Sequence, residues 1–181
     1  MKNIFLAFIF IIATVSFTFA QNEKEKTQQS NVAEARRAEM KNLDRLIGQW
    51  KGAGWIQQGA KRETFEGTET VQRKIGGLAL LVEGNFKNKE GVITHDTLAV
   101  ISPNMKTKNY DFQTYLANGM TGIQELKAVE GGWQWGFQFP GGAVRYTIKI
   151  ENDVWGEIGE MSRDDGKTWT KFFEMYLKKI G

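Results

Sequence analysis

The sequence predicts a mainly β protein: an antiparallel, up-and-down β-barrel of about ten strands preceded by one N-terminal α-helix. Three observations carry this expectation. All 20 glycines lie at or after Gly48, so a turn-rich region begins there. Turn signals then recur every six to fifteen residues or so, among them Gly76-Gly77, Asn118-Gly119, Gly131-Gly132, Pro140-Gly141-Gly142, Asn152-Asp153 and Asp164-Asp165-Gly166. The runs between them alternate. Trp133, Trp135, Phe137 and Phe139 share one face opposite Gln134, Gly136 and Gln138, while Val144, Tyr146, Ile148 and Ile150 oppose Arg145, Thr147 and Lys149. Short strands joined by tight hairpins, with no helix between them for a crossover, form a meander, and closing the meander on itself removes its edges. A two-sheet sandwich is the alternative architecture.

The elements follow in order. Residues 1–20 have a basic Lys2, an apolar run over 4–15 and the small-residue pattern Thr18-Phe19-Ala20, which reads as a signal peptide cleaved after Ala20. The run is too short to span a bilayer comfortably, so the mature chain is expected to be secreted or periplasmic, with no stable membrane insertion. Residues 21–30 (QNEKEKTQQS) lack any large apolar side chain and are expected to form a disordered tether. Over 31–47, Val32, Ala35, Met40, Leu43, Leu46 and Ile47 recur at three- and four-residue spacing behind an N-cap at Ser30 or Asn31, predicting an amphipathic helix packed on the barrel. The barrel domain itself is expected over 48–181. Within its strands Gly52, Gly54, Gly84, Gly156 and Gly159 permit the sharp coiling that closure demands.

Composition excludes several classes of chemistry. With no cysteine there is no disulfide framework, thiol nucleophile or zinc–cysteine cluster, and a single histidine rules out multi-histidine metal sites. The formal charge of +3 is small and scattered, with Lys61, Arg62, Lys106, Lys108, Lys178 and Lys179 interleaved with acids, so no nucleic-acid footprint is expected.

The opening of the barrel carries a resemblance. Gly48-Gln49-Trp50-Lys51-Gly52-Ala53-Gly54, entered from a short helix, looks like the first strand of lipocalin and calycin barrels. With the Gly76-Gly77 turn and the Asp165-Gly166-Lys167-Thr168-Trp169 hairpin, it resembles a bacterial family of secreted lipocalin-like domains of uncharacterised function over most of the chain from Leu43 to Lys179. The resemblance implies the fold, a habit of binding small ligands, and a structural role for Trp50 across the closed end. A weaker similarity is to nitrobindin-like haem-binding barrels, which open similarly and hold haem through a histidine near the chain end. Here residues 169–179 contain none, which leaves His95 as the alternative haem ligand; Met105, Met120, Met161 and Tyr110 are other side chains able to ligate. Asp96, its sequence neighbour, points to the opposite face of a regular strand and cannot readily orient it.

The segment Ser162-Arg163-Asp164-Asp165-Gly166-Lys167-Thr168-Trp169 also matches the Asp-box of sialidases and other propellers, but one copy on a short chain reads as a turn-stabilising hairpin. Catalysis would need polar groups converging inside the barrel. Glu83, Asp96, Asp111, Glu125, Glu157 and Glu174 lie in strand-like runs, and two of them turned inward would make an acid/base pair for a small hydrolase or isomerase. No nucleophile constellation, phosphate-binding loop or H-E-x-x-H motif accompanies them, so no catalytic residue is assigned. What remains is aromatic: Trp55, Tyr110, Phe112, Trp133, Trp135, Phe137 and Tyr146 are expected to line a cavity, with Glu125, Arg145 or His95 supplying the polar contacts. The expected function is binding of a small hydrophobic or aromatic molecule without turnover or resident cofactor. A filled barrel serving as a protein-interaction module is a further alternative.

Overall fold

The computed structural model describes residues 24–181; the expected signal peptide lies outside them. Residues 24–40 are α-helical, and a 3-10 helix, Lys41–Leu46, follows directly. Helix therefore covers most of the stretch expected to be a disordered tether, and no helix start falls at Ser30 or Asn31. The physical reason is that Glu, Lys and Gln are good helix formers and nothing here breaks a helix; low hydrophobicity argues against burial, not against helix. Val32 accordingly stays exposed. In the 3-10 helix, residues three apart share a face, so Met40, Leu43 and Leu46 all turn inward and are fully buried.

Ten strands follow: β1 (Gly48–Gln58), β2 (Lys61–Lys74), β3 (Ala79–Asn88), β4 (Ile93–Asn104), β5 (Asn109–Leu116), β6 (Thr121–Val129), β7 (Gly132–Phe139), β8 (Gly142–Glu151), β9 (Val154–Ser162) and β10 (Thr170–Lys179). Each pairs antiparallel with the next, and β1 pairs with β10, closing a barrel with the connectivity of a simple meander. The sandwich alternative is thereby excluded.

Residues directly opposed across antiparallel strands share a face, so the register assigns inside and outside around the whole wall. One row runs Trp50, Glu69, Gly84, Thr97, Leu116; another runs Ile101, Phe112, Gln124. On the far side Trp133, Trp135 and Phe137 oppose Ile148, Tyr146 and Val144, and Glu157 opposes Met175. Gly52 is required by the close approach of β1 and β10: a Cβ there would lie 2.0 Å from the carbonyl oxygen of Tyr176.

Within residues 39–181 one end of the barrel is closed and the other is left uncapped. At the closed end Met40, Leu43 and Leu46 meet Trp50, Leu80, Ile101, Leu126, Ile150, Trp155 and Leu177 in one buried cluster. Trp50 is fully buried, donates Nε1–H to the Leu46 carbonyl at 2.9 Å and meets Trp155 edge-on. At the other end the wall is notched. β6 and β7 pair with each other only over residues 127–129 and 132–134, next to the closed end; toward the mouth residues 121–126 keep only β5 and residues 135–139 keep only β8.

Candidate functional site

The interior toward the mouth is walled by aromatic rings in continuous contact. Phe112 meets Trp135 edge-on at 5.1 Å; Trp135 stacks on Tyr146 at 4.3 Å; Tyr146 meets Phe173 at 5.5 Å; Phe173 stacks on Phe65 at 5.7 Å, and Phe65 meets Phe86. All face inward by register, yet Phe65, Phe112, Trp135, Tyr146 and Phe173 are only partly buried. These inward-facing, partly buried rings form an aromatic cup at this end of the barrel. Phe137, at the notch between β6 and β7, is 46% exposed.

The sequence-predicted residues separate into three groups. Phe112, Trp135, Phe137 and Tyr146 belong to the cup. Tyr110 and Trp133 face inward but sit at the closed end, both buried, with the Tyr110 hydroxyl donating to the Glu39 carbonyl at 3.1 Å. Trp55 and Glu125 are on the outer face, and here the expectation is corrected: one step of strand parity separates each from the lumen. Arg62 stacks over the Trp55 ring at 3.8 Å, and Glu125 takes a hydrogen bond from Asn109 and an ion pair from Lys127. Arg145 also faces outward, paired with Glu160 at 2.7 Å and stacked over Trp169.

Of the six strand carboxylates considered, Glu157 alone points inward. Glu83, Asp96, Asp111 and Glu174 share Glu125's outward parity; Asp111 accepts from Asn104 and Glu174 pairs with Lys171. The second interior carboxyl is Glu69, which sequence reasoning missed. The signal was present: Phe65, Gly67, Glu69 and Val71 share a parity opposite Glu66, Thr68 and Thr70, so the apolar members of the run mark the face on which Glu69 lies.

The two carboxyls are held differently. Glu157 accepts hydrogen bonds from the indole N–H groups of Trp135 (3.2 Å) and Trp155 (3.3 Å). Burial pushes it up to about 7, with the two indole bonds pulling the other way. Glu69 is 8% exposed, and its Oε2 is buried without a hydrogen-bond partner. Burial, with Glu157's charge adding to it, pushes Glu69 up to about 8. Gly84 makes room for this carboxyl, since a Cβ there would lie 2.7 Å from Glu69 Oε1. Tyr146 is also raised, by burial first and then by Glu157.

His95 opposes Phe86 and so faces inward at the mouth, its ring 6.0 Å from that of Phe86. Desolvation lowers its pKa, against the opposing effect of Asp96, so the imidazole is neutral at pH 7. Asp96 is on the outer face, where Asn85 bonds it. Met161 faces inward opposite Val144, whereas Met105 and Met120 are exposed. Among the described residues no group of three or more His, Asp or Glu side chains is arranged to hold a metal ion.

A shallow concavity of about 570 Å³ lies elsewhere, on the outside of β2 to β5, between Thr70, Glu83, Asn85, Asp96, Leu98 and Tyr115. Its lining side chains have mostly outward parity, so it is separate from the aromatic cup.

The motif residues are structural. Gly48 adopts φ 142° beside Lys179 where the barrel closes, and Gly54 leaves space for Phe65. In the β9–β10 hairpin Ser162 Oγ accepts from the Gly166 and Asp164 amides, Asp164 accepts from the Thr168 amide and hydroxyl, and Trp169 donates Nε1–H to the Gly166 carbonyl.

No known family model matches the sequence, and no curated protein matches it either. Solved structures do match in fold. Rv2717c from M. tuberculosis superposes with a TM-score of 0.61 at 13% identity, over 79% of this chain and 98% of that one. The S-type phycobiliprotein lyase CPES from Guillardia theta superposes with a TM-score of 0.56 at 9% identity, over 81% of this chain and 97% of that one. At these identities the likeness is one of fold, a closed antiparallel barrel.

Proposed function

We propose that this chain is an exported binding protein that holds a small hydrophobic or aromatic molecule in its lumen without chemical turnover. The observation that carries the reading is the set of inward-facing yet partly exposed rings, Phe65, Phe112, Trp135, Tyr146 and Phe173, on a barrel that residues 39–181 plug at one end. A flat apolar ligand entering this cup replaces water against the rings, and the notch between β6 and β7 widens its way in. The fold likeness is compatible with this reading, since one barrel shape serves many ligands and even a lyase, and it selects none of them.

The interior carboxyls are assigned to recognition and not to catalysis. Glycoside cleavage needs an ionised carboxylate beside a protonated one. Burial raises both Glu69 and Glu157 in the same direction, to about 8 and about 7, instead of pushing one down and the other up as in an acid and nucleophile pair. A second reading, haem held through His95, has one observation in its favour: the imidazole faces inward and is neutral. Against it, no carboxylate orients the ring, and β10 turns Phe173, Met175 and Leu177 inward where nitrobindin-like barrels carry their histidine.

The test is native mass spectrometry of the protein from its host's export fraction, with a Nile red titration of the emptied protein. The reading expects a mature chain beginning at Gln21, a released small molecule or saturable dye binding, and loss of that binding in Thr114→Trp, which fills the mouth from an inward position. A folded barrel that carries nothing and rejects the dye overturns it. A Soret band that disappears in His95→Ala would move the assignment to haem.

A further inference from the structure

Register sorts the charged side chains of the wall by face, and the sorting is one-sided. Above the closed end, the inward carboxyl and imidazole positions among the described residues are Glu63, Glu69, His95 and Glu157. Of the inward basic positions, Arg73 and Lys179 sit at the closed end, where Arg73 pairs with Asp44 and Lys179 lies over the Trp50 ring, and Lys61 sits at the outermost rim, largely exposed and paired with Glu63. A chain carrying 24 basic against 21 acidic side chains thus turns no Lys or Arg inward between that rim and the closed end, among the described residues. Glu63, at the rim, is neutralised by Lys61 at 2.6 Å, and His95 is neutral, so the charge available deeper in the lumen is that of Glu69 and Glu157.

Two further features narrow the ligand. Glu69 Oε2 is buried without a partner, which costs free energy until a donor reaches it. Glu157, by contrast, already accepts from two indoles, so the unmet demand is at Glu69. Beside these carboxyls stands the stacked pair Trp135 and Tyr146, whose ring faces attract cations. The positions opposed to Glu69, Trp50 and Gly84, carry no charge, and the charged group that acts on it is Glu157.

We infer that the lumen selects an organic cation: a protonated amine on a flat apolar or aromatic body, its ammonium at Glu69 and its body against the Trp135–Tyr146 wall. The inference deepens the lumen-binding reading and rests on it. The ammonium favours the ionised form of Glu69, so pairing releases the acid proton to solvent and supplies the donor that Oε2 lacks. At that depth organic anions meet two acidic groups and no compensating base, and are rejected.

Three ligands on one ring system test the charge requirement: 1-naphthylmethylamine, which is a cation at neutral pH, neutral 1-naphthalenemethanol and anionic 1-naphthoate, each titrated calorimetrically into the full mature chain. The expected order is amine over alcohol by about tenfold or more, with the carboxylate weakest. Glu69→Gln preserves shape and is expected to abolish the preference for the amine while leaving alcohol binding intact. Glu157→Gln, measured in parallel, is expected to reduce the preference and shows whether one carboxyl suffices. An amine bound no better than the alcohol, or an unchanged preference in Glu69→Gln, overturns the charge inference while Nile red binding keeps the lumen reading. Rejection of all three ligands and of Nile red overturns both.

Discussion

The two ends of the barrel are built on the same alternating strands and end up as opposites. At the closed end inward side chains such as Trp50, Leu80, Leu126 and Leu177 are sealed beneath the 3-10 helix. At the other end inward side chains of equal size, Phe112, Trp135 and Tyr146 among them, remain partly exposed because nothing within residues 39–181 caps them and β6 parts from β7. Alternation decides which side chains point in. A cap decides which of those are core and which are wall.

The comparison can be broken or sharpened by substitution. Trp50→Ala removes the ring that joins the cap to the wall, leaves a cavity and orphans the Leu46 carbonyl. It is expected to cost about 3–5 kcal/mol by urea denaturation, while Trp135→Ala at the open end costs clearly less; equal costs would erase the distinction between the two ends.

Acidity probes the cup next. Glu69 stands at about 8 and Glu157 at about 7, both above the ordinary 4.5. A group whose folded value is raised contributes stability fully below its unfolded value and loses it as pH rises through the folded one. The protein should therefore weaken between pH 4.5 and 8, by on the order of a few kcal/mol, and Glu69→Gln should flatten much of that slope. Chemical denaturation at pH 5 and pH 8 for both proteins checks the sign.

Smaller effects lie on the outside of the wall. Ser162→Ala leaves the Gly166 and Asp164 amides without their acceptor and is expected to cost about 1–2 kcal/mol, lowering the melting temperature while Nile red affinity stays the same. Smallest of all, Trp55→Ala removes only an outer stacking partner of Arg62, worth roughly 0.5–1 kcal/mol, and should leave dye affinity unchanged. A large loss of binding in Trp55→Ala would mean that the strand parity of β1 is assigned to the wrong face.

Much of this was legible residue by residue. The alternation of Trp133 to Phe139 against Val144 to Ile150 survives as the β7–β8 hairpin with Trp135 opposite Tyr146. Glu69 was hidden by its setting, for in a run as polar as Glu63 to Thr70 a carboxylate draws no notice until Phe65 and Val71 are used to set the parity. Trp55 misled for the converse reason: a tryptophan reads as interior, yet it shares a face with Lys51 and Ala53, opposite Trp50, Gly52 and Gly54.

The sequence by itself determined the fold class, because strand periodicity and turn chemistry are local properties that a chain carries whatever it packs against. Only the tertiary structure decided the depth of each inward side chain, since depth depends on what crosses the end of the barrel. It alone brought Glu69 of β2 and Glu157 of β9 into one interior, 88 positions apart along the chain. Closure of the sheet made them neighbours, and the low dielectric of that shared interior gave both their altered acidity.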